Sequence, residues 1–224
     1  MIITIDGPAG SGKSAAALML AQQLGAAHLD TGAMYRAVTL WGLQKNLLND
    51  SAGLAQACQG IDLRFDWSTQ PARVLLAGED VSEAIRRPEV TAVTHIAADN
   101  IQVRQVLVEL QRAIGRQTKV LVTEGRDQGS MVFPQAEFKF YLDAKAEERA
   151  RRRVAQMAEK GVVANPAEVL AQIVERDARD HARPVGGLVQ TKDAIVINTS
   201  PLTLPEVVEK MFTMVQTPRT GARP

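Results

Sequence analysis

The sequence predicts an α/β protein in which helices cover both faces of a parallel sheet. Short apolar runs at residues 2–5, 119–123, 138–142 and 194–197 are typical of buried strands. Helical stretches separate these runs, and a glycine-rich loop joins the first run to the first helix. Strands that alternate with helices favour a parallel sheet, because each return crossover is usually a helix.

The glycine-rich loop is the most specific signal in the chain. Residues 7–14 read Gly-Pro-Ala-Gly-Ser-Gly-Lys-Ser, the complete G-x-x-x-x-G-K-S pattern. In such a loop, backbone N–H groups and a helix N-terminus converge on phosphate. Lys13 would place its charge on the β and γ phosphates, and Ser14 would be a ligand of Mg²⁺. The loop therefore predicts a site for nucleotide phosphates rather than a plain turn.

The helices follow from apolar spacing and from residues that favour helix ends. The first helix is predicted to end at Gly25, where a left-handed residue is favoured. Another helix is predicted to begin near Pro166. Between them, four apolar residues recur at helical spacing and predict a helix that faces the core: Val103, Leu107, Leu110 and Ile114.

One segment interrupts the alternation of strands and helices. Apolar and charged residues alternate over 61–66, and after a turn at 68–71 a second run at 73–77 leads into a Gly-Glu-Asp turn. This pattern predicts a small antiparallel β insert. At the other end of the chain, residues 216–224 have two prolines, a glycine and no apolar periodicity, so we expect a frayed tail.

Composition excludes several classes of protein. With 26 Lys and Arg against 25 Asp and Glu, no overall charge favours nucleic acid or an anionic membrane. No apolar stretch approaches the length of a membrane span, and no signal peptide is evident. The single cysteine, Cys58, rules out an intramolecular disulfide and is expected to be a small buried side chain. We therefore expect a cytosolic catalytic domain.

Arginines in several separate segments are consistent with phosphoryl transfer. That reaction needs converging cations that hold two phosphate chains in line and neutralise the transferred group. Arg126 follows a predicted strand, at the edge where open α/β sheets place ligands. From spacing alone, Arg36 and Arg112 could be solvated surface residues, and Asp180 and Arg183 could form an i,i+3 surface pair.

A second basic cluster lies at residues 147–153, which read Glu-Glu-Arg-Ala-Arg-Arg-Arg. Arg149, Arg152 and Arg153 would share one helical face. Charge pattern alone allows either a solvated helix or a mobile lid that closes over a triphosphate.

Two acidic residues follow the same predicted strand as Arg126. Glu124 would hold the waters of a metal ion, and Asp127 would orient neighbouring arginines, although either could be a plain salt-bridge partner. No general base is evident, and none is required if the acceptor is itself a phosphate oxyanion.

Together these strings resemble the bacterial cytidylate kinases, which belong to the nucleoside monophosphate kinases among the P-loop proteins. The resemblance spans nearly the whole chain, and the strings that carry it fall in the family's order: the loop at 7–14, Leu-Asp-Thr-Gly-Ala-Met-Tyr-Arg at 29–36, Gly-Glu-Asp-Val-Ser at 78–82, Glu-Gly-Arg-Asp at 124–127, Val-Phe-Pro at 132–134, Glu-Arg-Ala at 148–150, Arg-Asp at 176–177 and Asn-Thr-Ser at 198–200.

The resemblance implies a P-loop three-layer α/β/α fold with a central parallel five-stranded sheet, a small antiparallel β insert in the monophosphate-binding region and a short helical lid. One kinase domain would occupy residues 1–224. Its parts would be a core (about 1–35, 101–145 and 164–215), a monophosphate-binding insert (about 36–100), a lid (about 146–163) and the tail at 216–224.

The resemblance also implies Mg²⁺-dependent transfer of the γ-phosphoryl group of ATP to CMP or dCMP, which gives ADP and CDP or dCDP. The preference for cytosine comes from the resemblance alone. The implied partners are small nucleotides, without a nucleic-acid polymer or a membrane, and the family expectation is a cytoplasmic monomer. The alternatives are another P-loop nucleotide or small-molecule kinase, or a non-catalytic nucleotide-binding switch. A guanine-specific switch would require an Asn-Lys-x-Asp string, which the sequence lacks.

The resemblance assigns the candidate site residues. The expected catalytic residues are Lys13, Arg126, Arg152 and Arg176. The ATP phosphates would contact Gly7, Pro8, Ala9, Gly10, Ser11, Gly12, Lys13, Ser14 and Ala15. The acceptor would contact Thr31, Arg36, Arg112, Arg126, Asp180 and Arg183. The metal would be held by Ser14 and, through water, by Glu124.

Five residues depart from the family pattern. They are Glu124, where Asp is usual, and Asn198, where Asp is common, together with Gln128, Ser130 and Gly187. None of these changes removes a positive charge from the predicted site.

Overall fold

The computed structural model describes residues 1–159 and 161–217, which form two compact units. The first unit combines Met1–Ala26 with the described residues from Val122 onward, and the second is Ala27–Leu121. In chain order the elements are β1 (Ile2–Asp6), α1 (Lys13–Leu24), β2 (Ala27–Asp30), α2 (Thr31–Gln44), α3 (Ser51–Cys58), β3 (Leu63–Asp66), β4 (Arg73–Leu76), β5 (Glu79–Asp80), α4 (Pro88–Asp99), α5 (Ile101–Gln117), β6 (Leu121–Gly125), β7 (Phe138–Asp143), α6 (Ala146–Glu159), α7 (Pro166–Ala182), β8 (Ile195–Asn198) and α8 (Leu204–Gln216).

The central sheet confirms the predicted α/β fold. Its five strands have the order β2-β6-β1-β7-β8. β1 pairs in parallel with β7, with Ile5 opposite Phe140, and β7 pairs in parallel with β8, with Leu142 opposite Ile197. All four runs predicted as strands are strands, each shifted by no more than two residues. The carboxyl end of β1 therefore delivers the chain directly into the glycine-rich loop.

β2 is a strand that apolar patterning missed. It has only four residues, and Leu29 is the one that is buried. A single buried side chain gives no alternation of apolar and polar residues to detect in the sequence.

The core of the first unit lies between the sheet and two helices. α1 contributes Ala16, Ala17 and Leu20, all fully buried, while α8 contributes Val208 and Met211. The small alanines allow α1 to approach the strands closely. α1 ends as predicted, since Gly25 adopts a left-handed conformation with a φ of 59°.

The second unit contains the predicted β insert and the predicted helix of the middle region. β3, β4 and β5 form an antiparallel sheet in which Leu63 faces Leu76, and the predicted Gly-Glu-Asp turn includes the short β5. α5 begins at the cap Asn100, whose side chain accepts hydrogen bonds from the amides of Gln102 and Val103. Val103 and Leu107 are fully buried, whereas Leu110 and Ile114 are half-buried.

Three further predictions can be compared with the described residues. Helix α8 extends through Gln216, so it includes the first residue of the predicted tail, and residues 218–224 lie outside the described part of the chain. Cys58 is buried, and burial raises the pKa of its thiol to about 11, as expected for a packing residue. Within residues 1–159 and 161–217, no helix has both the length and the hydropathy to cross a bilayer.

The packing of α1 predicts a stability loss that should be measurable. Leu20→Ala removes a fully buried side chain, and we expect the free energy of unfolding to fall by about 2–5 kcal/mol. Chemical denaturation followed by circular dichroism measures this change. The matched control is Met214→Ala on α8, where the residue is 38% exposed and the expected loss is under about 1 kcal/mol. Equal losses in the two variants would contradict the assigned core.

Candidate active site

The glycine-rich loop has a backbone conformation that residues with a Cβ would not readily adopt. Gly7 has a φ of 146°, and a Cβ at this position would collide with the carbonyl oxygen of Leu142 on the neighbouring strand β7. Gly12 has a φ of 91° and is the N-cap residue of α1. The helix therefore starts at Lys13 with N–H groups that have no partner within the helix. A loop of this kind presents backbone donors to an anion.

Lys13 is buried at the end of the glycine-rich loop. Its Nζ donates a hydrogen bond to the carbonyl oxygen of Pro8 at 2.7 Å. Burial is the main cause that lowers the pKa of Lys13 to about 7, and the charges of Arg126 and Arg176 lower it further. The loop therefore holds a lysine that loses its proton more readily than an exposed lysine does.

Ser14 and Glu124 bring two oxygen ligands together. The Ser14 hydroxyl donates to Oε1 of Glu124 at 2.7 Å, and Glu124 is buried near the carboxyl end of β6. The longer side chain of Glu124, compared with the usual Asp, reaches Ser14 directly. Among residues 1–159 and 161–217, no group of three or more His, Cys, Asp or Glu could hold a metal. Two oxygens suit a hard cation that takes its other ligands from water or phosphate.

Asp6 anchors the segment after β6 to the end of β1. Its carboxylate accepts hydrogen bonds from the amides of Gln128 at 2.9 Å and Gly129 at 2.7 Å. Burial raises the pKa of Asp6 to about 6, and these amide donors oppose the rise. The Gln128 side chain is also buried and accepts a hydrogen bond from Thr123 at 2.8 Å, so this departure from the family pattern is a structural contact.

Arg126, Asp180 and Arg183 form a buried ionic cluster. Nε of Arg126 donates to Oδ2 of Asp180 at 2.7 Å, and Nη2 of Arg183 donates to Oδ1 at 3.0 Å. Burial alone would raise the pKa of Asp180, but the neighbouring guanidinium groups, Arg126 first, outweigh burial and hold that pKa below its usual range. Asp180 and Arg183 are therefore not the solvated surface pair that spacing alone allowed. Three of the predicted acceptor residues meet here.

Gly187 stabilises the turn that follows this cluster. A Cβ at Gly187 would lie 2.7 Å from the carbonyl oxygen of Arg183, so the backbone passes too closely for most side chains. The next residue, Leu188, is buried, and its amide donates to the carbonyl oxygen of Asp180 at 2.9 Å. The departure at Gly187 therefore allows a close turn against the end of α7.

The other three predicted acceptor residues belong to the second unit. Thr31 is buried at the start of α2, and Nη2 of Arg36 on the same helix donates to Oδ2 of Asp30 at 2.9 Å. Arg112 lies on α5 and pairs with Glu109 at 2.8 Å, with the Arg112 side chain 38% exposed. Arg36 is thus held within a largely buried ion pair, and Arg112 within a solvated one.

The three arginines predicted to share one lid face on α6 have different environments. Arg149 is buried, and its Nη1 donates to the carbonyl oxygen of Ala9 at 2.8 Å. Arg152 donates to Oε1 of Glu148 at 2.9 Å and to the carbonyl oxygen of Thr199. Arg153 is exposed. Arg149 is therefore held by the loop backbone whereas Arg153 is exposed to solvent, and the closure of this face over a triphosphate stays a prediction.

Two contacts to the loop were not expected from sequence. Asp177 on α7 accepts a hydrogen bond from the Ala9 amide at 3.2 Å, and Thr199 donates to the carbonyl oxygen of Ser11 at 3.2 Å. Both residues lie within strings that carried the resemblance, but spacing could not show which side chains reach the loop. Asp127 is buried beside Gln128, and its expected role in orienting arginines stays a prediction.

Comparisons with known proteins agree with this geometry. The family model described as cytidylate kinase matches residues 3–217. The cytidylate kinase of Geobacter sp. (strain M21) is 45% identical over 212 residues, which cover 94% of this chain and 91% of that protein. The cytidylate kinase of Citrifermentans bemidjiense is 43% identical over 217 residues, with 96% and 93% covered. Cytidylate kinase 1 of Haemophilus influenzae is 41% identical over 217 residues, with 96% and 94% covered.

The lowered pKa of Lys13 predicts that binding of a triphosphate is linked to proton uptake. At about pH 8 the amine is largely neutral in the free protein, because its pKa is about 7. A bound polyanion favours the charged form and raises that pKa, so up to about one proton should be taken up. At about pH 5.5 the amine is already protonated and uptake through Lys13 should vanish.

Calorimetry of ATP binding in buffers of different ionisation enthalpy measures the number of protons taken up. The control is Lys13→Met, which keeps the length of the side chain without a titrating group and should bind ATP with less proton uptake at about pH 8. Identical proton numbers for the two proteins would contradict the assignment.

Proposed function

The chain belongs to the cytidylate kinase family, and from this premise we propose that it transfers the γ-phosphoryl group of ATP to CMP or dCMP, giving ADP and CDP or dCDP. The observation that carries the proposal is the loop lysine Lys13, buried beside Arg126 and Arg176 in a chain that matches the family over residues 3–217. This concentration of positive charge suits two phosphate chains held end to end.

ATP is the proposed phosphoryl donor. Its phosphates would lie in the loop and contact its backbone N–H groups and the first turn of α1, within residues 7–15. Lys13 would exchange its hydrogen bond to the Pro8 carbonyl for one to phosphate and become protonated. The phosphates of the donor would therefore replace the Pro8 carbonyl as the acceptor of Lys13.

Mg²⁺ is the proposed metal. The Ser14 hydroxyl would be a ligand, and Glu124 would hold the waters of the ion, because both oxygens already lie within hydrogen-bond distance of each other. When bound, the ion would neutralise charge on the phosphate oxygens.

Six residues are proposed to hold the acceptor. Arg36, Arg112 and Arg126 are proposed to bind its phosphate. Thr31, Asp180 and Arg183 are proposed to recognise the cytosine and neighbouring groups. The depressed pKa of Asp180 keeps its carboxylate ionised, so that it can accept hydrogen bonds from amino or hydroxyl donors.

Transfer would depend on positioning and charge rather than on a general base. The acceptor is already an oxyanion, so no proton has to be removed from it. Arg152 and Arg176 are proposed to neutralise the group in transfer, and closure of the lid at about 146–163 would exclude water, which would otherwise hydrolyse ATP. We expect this enzyme to act in the cytoplasm as a monomer, on small nucleotides and not on nucleic-acid polymers or membranes.

A panel of acceptors tests the proposal. ADP release is measured with a coupled assay in the presence of ATP and Mg²⁺, with CMP, dCMP, UMP, AMP and GMP as separate acceptors. We expect CMP and dCMP to give the largest kcat/KM. Activity with UMP or AMP far above that with CMP would indicate a different nucleotide kinase. Slow ATP hydrolysis that does not depend on any acceptor would indicate a switch.

Arg126→Ala should mainly weaken capture of the acceptor. Loss of a charged hydrogen bond should raise the KM for CMP roughly 10- to 100-fold and leave the KM for ATP nearly unchanged. Asp180 keeps Arg183 as its partner in this variant. The control is Arg64→Ala, because Arg64 is 74% exposed and pairs only with nearby Asp62 among the described contacts. A defect in kcat alone would show that Arg126 acts on the transferred group instead.

A further inference from the structure

A buried ion pair holds the outer side of the glycine-rich loop. Nη1 of Arg149 on α6 lies 2.6 Å from Oδ2 of Asp177 on α7. The Arg149 side chain is 6% exposed and the Asp177 side chain 15%. Neither residue belongs to the sets proposed above for the phosphates, the acceptor or the metal.

The pair contacts both polar backbone groups of one loop residue. Oδ1 of Asp177 accepts a hydrogen bond from the Ala9 amide at 3.2 Å, and Nη1 of Arg149 donates to the Ala9 carbonyl oxygen at 2.8 Å. The orientations of the two peptide planes that flank Ala9 are therefore set by side chains from two helices. If these planes could rotate, the neighbouring loop amides would point in other directions.

Arg149 is itself fixed on its other side. Its Nε donates to the carbonyl oxygen of Ala144, just before α6, at 2.9 Å. Its aliphatic carbons cover Gly10, since a Cβ built on Gly10 would lie 3.4 Å from the Cβ of Arg149. Gly10 has a φ of 79°, so a left-handed glycine and the arginine above it define the same turn. The guanidinium is thus held by Ala144, Asp177 and Ala9 at once.

Charge alone does not account for an aspartate at this position. A carboxylate beside an anion-binding loop repels phosphate, and its pairing with Arg149 cancels the charge that the arginine would otherwise offer. A buried ion pair is also a weak source of stability, because both ions lose hydration. What the pair supplies is two hydrogen bonds of fixed direction to the loop backbone.

We infer that Arg149 and Asp177 are a positioning pair, which fixes the conformation of the loop at Ala9 and Gly10 so that its amides are already oriented for the phosphates of ATP. This role presupposes the phosphoryl transfer proposed above. It links the α6 and α7 helices to the proposed phosphate site through one pair of side chains.

A charge-neutral double variant tests this role. Arg149→Met with Asp177→Ala removes both charges, so that no buried ion is left unpaired. We expect its midpoint of thermal unfolding to stay within several degrees of the wild type. We expect kcat/KM for ATP to fall about 10- to 100-fold, with the KM for the acceptor nearly unchanged. Hydrogen exchange of the amides in residues 7–12 should become faster, because Ala9 loses its acceptor.

The matched control makes the same two types of substitution at an exposed ion pair on α7. Glu175 and Arg179 pair at 2.8 Å with side chains 71% and 41% exposed. Arg179→Met with Glu175→Ala should therefore leave activity and hydrogen exchange of the loop as in the wild type.

Two results would overturn the inference. One is that the double variant and the control have the same kcat/KM for ATP and the same rates of hydrogen exchange in the loop amides. The other comes from Asp177→Asn, which removes only the negative charge. If this variant binds ATP more tightly with unchanged kcat, Asp177 acts only by electrostatic repulsion. The positioning role predicts weaker binding and a lower kcat, because the Asn amide would face the Arg149 guanidinium donor to donor.

Two further measurements keep the test decisive. If the double variant does not fold, Arg149→Lys keeps the charge but not the planar donors, so it should fold and lose part of kcat/KM for ATP, and full activity would overturn the inference. If the wild type transfers phosphate to no acceptor in the panel, the proposed function fails. ATP affinity and loop exchange of the variants still decide the role of the pair.

Discussion

The first unit depends on finding acceptors for one buried cation, Lys13, and for two partly buried cations, Arg126 and Arg152. A buried charge without a partner is costly, and several cations close together repel one another. The structure satisfies each of them with an acceptor from the protein itself. Lys13 donates to the Pro8 carbonyl, Arg126 binds Asp180, and Arg152 donates to the Thr199 carbonyl. Burial also lowers the pKa of Lys13 to about 7, so this amine is more often neutral than an exposed lysine. These protein acceptors are the partners that phosphate oxygens would replace in the proposed reaction.

The backbone at the end of β1 makes this gathering possible. Gly7 passes so close to the Leu142 carbonyl that no side chain fits, and Asp6 holds the amides that follow β6. These contacts place the loop and the segment that bears Arg126 at the carboxyl edge of a parallel sheet, where ligands of open α/β folds bind. In this unit, contacts with the sheet therefore determine the position of the loop and of Arg126.

The arginines differ in how far sequence could assign them. Arg126 could be selected because it follows a buried strand, and its cluster with Asp180 is buried as a ligand site requires. Arg149 could not be told from Arg152 and Arg153, because helical spacing gives a shared face but not the depth of each side chain. Burial of Arg149 is decided by packing of α6 and α7 near the loop, and those contacts join residues about 140 and 168 positions apart in the chain.

The sequence by itself determined the alternation of strands and helices, the glycine-rich loop, the β insert and, through the strings from Leu29 to Ser200, the family. These are local patterns, set by side-chain periodicity and by backbone angles that only glycine readily adopts. Tertiary structure decided the existence of β2, the partners of Asp6 and the roles of Asp177 and Thr199. Each of these depends on contacts between residues that are distant in the chain and come together only in the folded protein. The burial and the hydrogen-bond directions at such contacts leave no periodic pattern in the sequence.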